Sequence, residues 1–125
     1  MYSYGDQEKN LNAMEKHLNH INKAFPDVRM VIFPELVAHG AVASVSDEAE
    51  EIPGKLTDTF SSLAKKHGLW LIPGSIYESS EGNTFNTTPI FSPEGDMVEK
   101  YRKRYPWCPH EKTTPGDEPC VFSVD

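Results

Sequence analysis

The sequence predicts an α/β fold in which two helices cover a mixed β-sheet. Helical and strand-like patterns alternate over the first 72 residues, and three further strand-like segments then follow one another through short turns. The two earlier strands are apolar runs, and such strands need cover on both faces, which helices provide. A length of 125 residues suits one domain.

One apolar stripe marks the first helix. Its members recur at spacings of three and four residues: Leu11, Met14, Leu18, Ile21 and Phe25. These spacings place the side chains on one helix face and predict a helix over about residues 6 to 24. Pro26 ends the helix, because proline has no N–H and clashes with helical backbone.

A buried strand is predicted over residues 28 to 33. The run VRMVIF is rich in β-branched and aromatic residues and lies between Pro26 and Pro34. Glu35 then comes just beyond its carboxyl end. Residues 37 to 54 show neither period and exceed the usual connection of about 4–6 residues, which is typical of a functional loop.

The second helix and its following strand are predicted from capping residues. Thr57 is a suitable N-cap, Asp58 favours the first turn, and Gly68 ends the helix. The run LWLI at residues 69 to 72 predicts another buried strand.

The remaining segments predict a meander of three antiparallel strands. They begin at Ile76, continue as TFNTTPIF and end as MVEKYRK, with turns at ESSEGN and SPEGD. From Pro106 onward the four prolines of PWCPHEKTTPGDEP predict an irregular loop.

Charge and composition exclude several classes of partner. The net charge of −7 offers no overall positive field for a phosphate backbone, so we expect no nucleic-acid partner. No apolar run approaches the roughly 18 residues of a membrane span, and the start lacks a signal-peptide pattern, so we expect no membrane partner. Two cysteines are too few for a disulfide framework, which favours a reduced, cytoplasmic protein.

Three polar residues are candidates for chemistry. Glu35 follows a buried strand, where open α/β sheets build sites, and a half-buried carboxylate there suits a general base. Strand alternation places Tyr101 and Lys103 on one face and other cations on the opposite face, so the Lys103 ammonium is a candidate for stabilising an oxyanion. Glu111 can orient this lysine or a substrate amide. A solvated loop glutamate and a basic edge strand are the plain alternatives.

A metal site is the alternative chemistry. Cys108, His110 and Cys120, with His17 or His20, have the atom types of zinc ligands but lack the paired spacings of established zinc motifs. Either cysteine could also be a nucleophile, although neither follows a predicted helix N-terminus and small buried cysteine is the default.

Four segments in order resemble the carbon–nitrogen hydrolase (nitrilase) superfamily. They are FPE at 33–35, PGSIYE at 73–78, SPEGD at 92–96 and EKYRKRYPWCPHE at 99–111. The PWCPHE stretch is most similar to the aliphatic amidase and formamidase branch. The resemblance implies a partial αββα sandwich.

The resemblance also implies roles and partners. Glu35 corresponds to the general base, Lys103 to the residue that stabilises the tetrahedral intermediate, and Glu111 to a second, substrate-positioning glutamate. A thioester mechanism of this kind needs no cofactor and no metal. The implied partners are a small-molecule amide or nitrile substrate and, at full length, further copies of the chain in a homo-oligomer.

Two departures from the family indicate a fragment. Members begin with a strand before the first helix, and their nucleophilic cysteine follows the lysine by about thirty residues, whereas only twenty-two residues follow Lys103. We therefore expect residues 1–125 to be the N-terminal portion of one carbon–nitrogen hydrolase domain, inactive alone and marginally stable. At full length we expect an amidase that releases ammonia. The alternatives are a nitrilase, an N-carbamoyl hydrolase or an inactive binding module.

Overall fold

The computed structural model describes residues 5–40, 45 and 47–124. Two helices and five strands follow one another in these residues: α1 Gln7–Ala24, β1 Met30–Ile32, α2 Lys55–His67, β2 Trp70–Ile72, β3 Ile76–Ser80, β4 Asn83–Phe91 and β5 Met97–Arg102. This arrangement confirms the predicted α/β fold of two helices on a mixed sheet. Residues 41–44 and 46, part of the predicted functional loop, lie outside the described residues.

The long strand β4 organises the sheet. β1 and β2 are parallel, whereas β4 is antiparallel to β2, β3 and β5. Thr87 pairs at once with Ile76 of β3 and Arg102 of β5. Because one residue pairs with only one strand on each side, β5 lies on the opposite edge of β4 from β3.

The hydrophobic core lies between the helices and one face of the sheet. Its members come from both helices and from β1, β2, β3 and β4, and include Met14, Leu18, Val31, Leu56, Phe60, Leu71, Ile76 and Phe91. Phe60 of α2 and Phe91 of β4 meet edge to face, with ring centroids 6.3 Å apart. Phe25, predicted in the α1 stripe, is 57% exposed because the helix ends before it.

The second helix begins earlier than predicted. Thr57 is its third residue and not its N-cap, which is Gly54. The Thr57 hydroxyl accepts a hydrogen bond from the Gly54 N–H (2.7 Å), and the Glu50 carboxylate accepts one from the Leu56 N–H (2.8 Å). These side chains satisfy the free N–H groups of the first turn, so the helix starts at Lys55.

The other face of the sheet carries less cover. Ile32 of β1 points away from the helical core and is 65% exposed, so the prediction of a buried strand holds for only one face of β1. Trp70 of β2 is buried there because Phe122 of the C-terminal segment packs on it, with ring centroids 6.0 Å apart. As predicted, no helix or strand follows β5 in the described residues. No helix among these residues is long and apolar enough to cross a membrane.

Candidate active site

Glu35 is placed by the ends of two neighbouring parallel strands. The Phe33 N–H donates to the Ile72 carbonyl (2.8 Å) and extends the β1–β2 pairing beyond β1. The chain then turns sharply at Leu36, whose φ is +52° and whose N–H donates to the Ser75 hydroxyl (3.2 Å). The carboxylate of Glu35 therefore lies at the carboxyl edge of the sheet, where α/β folds build their sites.

Lys103 follows the last residue of β5 and is held by its backbone. Its N–H donates to the carbonyl of Asn86 on β4 (2.8 Å), and its own carbonyl accepts from the Gly116 N–H (2.9 Å). Both contacts keep the residue aligned with the sheet although the strand itself has ended. Its side chain lines a cavity with Tyr101, which agrees with the predicted alternation along β5.

Glu111 closes a tight turn of the loop after β5. Its N–H donates to the Trp107 carbonyl (2.8 Å), and its Oε2 accepts from the Trp107 N–H (3.0 Å). The Thr113 hydroxyl donates to its Oε1 (3.2 Å). The side chain is only 13% exposed. The turn therefore contributes two hydrogen bonds that hold the carboxylate.

The structure brings the three predicted site residues together. Nζ of Lys103 lies 2.9 Å from Oε1 of Glu35 and 2.7 Å from Oε2 of Glu111. Sixty-eight residues separate Glu35 from Lys103 along the chain. The cluster thus depends on the tertiary fold.

Sequence analysis missed a fourth member of the cluster. Nδ2 of Asn86 donates to Oε1 of Glu35 and to Oε1 of Glu111, each at 2.7 Å. Asn86 is 2% exposed and lies in the middle of β4. Asparagine is depleted in strands, so an asparagine inside TFNTTPIF was the available signal.

The charges of the cluster stabilise one another. Burial raises the pKa of Glu111, but the hydrogen bonds from Lys103, Asn86 and the Trp107 N–H outweigh it and lower this pKa to about 2. Burial lowers the pKa of Lys103, and the hydrogen bonds to Glu111 and Glu35 outweigh it and raise this pKa. At neutral pH the site therefore holds an ammonium group against a carboxylate.

Two cavities of about 330 Å³ each adjoin the Glu35–Lys103 pair. The first is lined by Ile72, Thr88 and Tyr101 besides the pair, and the second by Tyr77, Trp107 and His110. The Glu35 side chain is 55% exposed, close to the predicted half-buried position. It is open because only Lys103 and Asn86 contact its carboxylate among the described residues.

A second ion cluster lies on the opposite face of β5. Glu78 of β3 is 1% exposed and accepts hydrogen bonds from Thr87, Lys100 and Arg102. Burial raises the pKa of Glu78, but these bonds outweigh it and lower the pKa to about 2. Lys100 and Arg102 thus share one face, as predicted. Arg104, predicted with them, lines a cavity with Tyr101 because β5 ends at Arg102.

The cysteines lie away from this cluster. Cys108 is exposed, and Cys120 lines a different cavity, where burial raises the pKa of its thiol. Neither lines the two cavities beside Glu35 and Lys103. In the described part of the chain, no three histidine, cysteine or acidic side chains come close enough to hold a metal ion.

The chain belongs to the carbon–nitrogen hydrolase family, whose model matches residues 1–123. Among curated relatives, a formamidase of Bacillus cereus strain G9842 is 30% identical over 120 residues, covering 92% of this chain. The chain spans 36% of that formamidase's length.

Solved structures share the same architecture. The crystal structure of Saccharomyces cerevisiae Nit3, a member of branch 10 of the nitrilase superfamily, has a TM-score of 0.80 and 25% identity. The match covers 93% of this chain and 45% of Nit3. A variant of the amidase from Nesterenkonia sp. AN1, with acrylamide added at its active-site cysteine, has a TM-score of 0.80 and 17% identity. That match covers 99% of this chain and 50% of the amidase.

Proposed function

We propose that the full-length protein is an amidase that hydrolyses small aliphatic amides and releases ammonia. One observation carries this proposal: Lys103 lies within hydrogen-bond distance of both Glu35 and Glu111 at the sheet edge. In acyl transfer to a thiol, a carboxylate can act as the general base and an ammonium group can stabilise the oxyanion, while a second carboxylate holds the ammonium group in place. The formamidase relatives and the amidase neighbour favour an amide as substrate.

In the first half of the reaction, Glu35 is the general base. It takes the proton of a cysteine thiol while the sulfur attacks the amide carbonyl carbon and the carbonyl oxygen becomes an oxyanion. Lys103 stabilises that oxyanion. When the oxyanion collapses, the C–N bond breaks and Glu35 gives its proton to the departing nitrogen, which leaves as ammonia. A thioester remains.

In the second half, Glu35 acts again. It takes a proton from water, whose oxygen attacks the thioester carbonyl, and it returns the proton to the sulfur as the C–S bond breaks. The products are a carboxylic acid and the free thiol. Glu111 positions Lys103 throughout, because its carboxylate is buried, ionised and 2.7 Å from Nζ.

We place the nucleophilic cysteine outside these 125 residues, in a longer protein of which they are the N-terminal portion. Two observations support this assignment. Cys108 and Cys120 do not line the cavities beside the Glu35–Lys103 pair. The chain also spans only 36% of the formamidase's length. The 125-residue chain alone is therefore expected to be inactive.

Ammonia release tests the proposal. Purified full-length protein should release ammonia from formamide or acetamide, and the 125-residue chain should not. Glu35→Gln and Lys103→Met should each lower the rate by roughly 100- to 1,000-fold, because each removes a group that acts in the transition state.

Surface variants are the matched controls. Glu51→Gln and Lys112→Met change the same charges at exposed positions and should leave the rate within about twofold. Absence of ammonia from a broad amide panel would contradict the proposal and favour an inactive binding module. If the protein hydrolyses nitriles or carbamoyl compounds but no amide, it is instead a nitrilase or an N-carbamoyl hydrolase of the same family.

A further inference from the structure

The hydrogen bonds of the cluster form a closed ring. The amide nitrogen of Asn86 carries two hydrogens, and it lies 2.7 Å from one oxygen of Glu35 and 2.7 Å from one oxygen of Glu111. Lys103 Nζ contacts the same two carboxylates from the other side. Two donor groups and two acceptor groups therefore alternate around the ring.

Asn86 is the only ring member that lies in a regular element. β4 pairs through it with Tyr77 of β3, and its carbonyl accepts the Lys103 N–H (2.8 Å). Glu35, Lys103 and Glu111 belong to the connecting segments that follow β1 and β5. Because β4 has neighbours on both edges, the backbone from which the Asn86 side chain extends is fixed by the sheet.

The chemistry of the amide also fixes which way it faces. Two carboxylates repel its carbonyl oxygen and accept its N–H groups, so only the NH₂ end fits between them. A carboxylate in its place would put three negative groups around one ammonium. Asparagine is thus a specific choice of side chain at this position.

Counting the remaining hydrogen-bond positions shows what the ring leaves for a ligand. Oε1 of Glu35 accepts from both Asn86 and Lys103, whereas its Oε2 accepts from no described residue. The Lys103 ammonium has three N–H groups, and two are engaged in the described part of the chain. Among the residues that the structure describes, one acceptor on Glu35 and one donor on Lys103 thus remain unused.

We propose that Asn86 is a positioning residue that binds one N–H to each carboxylate and so reserves Oε2 of Glu35 and the third N–H of Lys103 for substrate. The use of these two groups in catalysis rests on the proposed amidase function. The ring itself is a property of the folded protein and is measurable without turnover.

A titration of the carboxyl carbons by NMR tests the ring. In Asn86→Asp we expect the pKa of Glu111 to rise by about one unit or more, because a hydrogen bond is lost and a negative charge is gained. Asn86→Ala should give a smaller rise, since it removes the hydrogen bond alone. Asn83→Asp is the matched control, because it adds the same charge at an exposed end of β4, and it should leave the Glu111 value unchanged.

Two results would contradict the proposed ring of hydrogen bonds. A Glu111 pKa that stays near its wild-type value in both Asn86 variants would overturn the ring. NMR spectra of the wild-type protein provide a second test that does not depend on whether the variants fold. Its two Asn86 Hδ2 signals should be distinct, slow to exchange and shifted as Glu111 titrates, and two averaged, fast-exchanging signals would also overturn the proposal.

Activity measurements distinguish a failure of the positioning role of Asn86 from a failure of the proposed amidase function. With formamide, Asn86→Asp in the full-length protein should move the acid limb of the kcat/KM profile to higher pH, whereas Asn83→Asp should not. An unmoved limb would overturn the positioning role. If wild-type protein releases no ammonia while the NMR shifts occur, the amidase proposal fails and the ring stands.

Discussion

Glu78 and Glu111 are two carboxylates with a pKa of about 2 on opposite faces of the same sheet. Each is surrounded by cations and N–H donors that compensate for its burial. The sequence predicted Glu111 through its place in PWCPHE, whereas Glu78 was not singled out and the signal for Asn86 was only an asparagine inside a strand. Their partners lie 9 to 51 residues away. Strand register brings Glu78 to its partners, whereas Asn86 meets Glu35 and Glu111 of the connecting segments only through the tertiary fold.

Glu78 should make the protein sensitive to acid. Its folded pKa lies below the unfolded value near 4.5, so its contribution to stability is complete above pH 4.5 and is lost as the pH falls towards 2. We expect Glu78→Gln to lower the free energy of unfolding by about 3 kcal/mol at pH 7 and by much less at pH 2.

Denaturant unfolding across this pH range measures the effect. Glu99→Gln is the matched control, because Glu99 is an exposed acid on β5, and it should follow the wild-type curve. A constant difference between Glu78→Gln and wild type from pH 7 to pH 2 would contradict the prediction.

At the scale of elements, the sequence predicted more than it did for single residues. The stripe of α1 and the apolar runs of β1 and β2 are local patterns, and the structure confirms these elements to within one or two residues. The start of α2 was wrong because Glu50 caps it from outside the helical segment. The close approach of Gly74 to the segment after β1 could not be predicted from the sequence either, because this contact lies between the ends of two different strands.

Gly74 should be intolerant of any side chain. Its φ is +85°, and a Cβ there would lie 2.0 Å from the Pro34 carbonyl oxygen, next to Glu35. Gly82 has a φ of +77° with no atom within 4 Å of a Cβ. We expect Gly82→Ala to cost about 1 kcal/mol from backbone strain alone, and Gly74→Ala to cost more than about 3 kcal/mol.

The free energies of unfolding of the two variants in urea distinguish the effect of the close contact with Pro34 from the effect of backbone strain. Because both glycines have positive φ, any difference in the free energy of unfolding reports the contact with Pro34. Equal losses in the two variants would show that this contact is unimportant.

At the scale of the whole molecule, the two faces of the sheet differ. One face is covered by both helices, whereas the other leaves Ile32 exposed and has only the C-terminal segment across Trp70. The resemblance to the nitrilase superfamily predicted a half of an αββα sandwich. The hydrophobic pattern alone did not predict that one face lacks cover, because a run such as VRMVIF is apolar on both faces whether or not the second layer is present.

Neighbouring residues of β1 test this asymmetry. Val31 is 8% exposed in the helical core, so Val31→Ala should cost about 2 kcal/mol in both the 125-residue chain and the full-length protein. Ile32→Ala should cost less than about 1 kcal/mol in the short chain and about 2 kcal/mol at full length, where we expect a second layer. An equal cost for Ile32→Ala in both proteins would argue against that layer.

The parallel pairing of β1 with β2 has a consequence for how the cluster assembles. β4 and β5 form a hairpin with a short turn, so Asn86 and Lys103 can meet early and at low entropic cost. Glu35 joins them only after a crossover containing α2 has closed. Because non-local closure of this kind is slow, we expect the Glu35 carboxylate to reach the cluster late in folding.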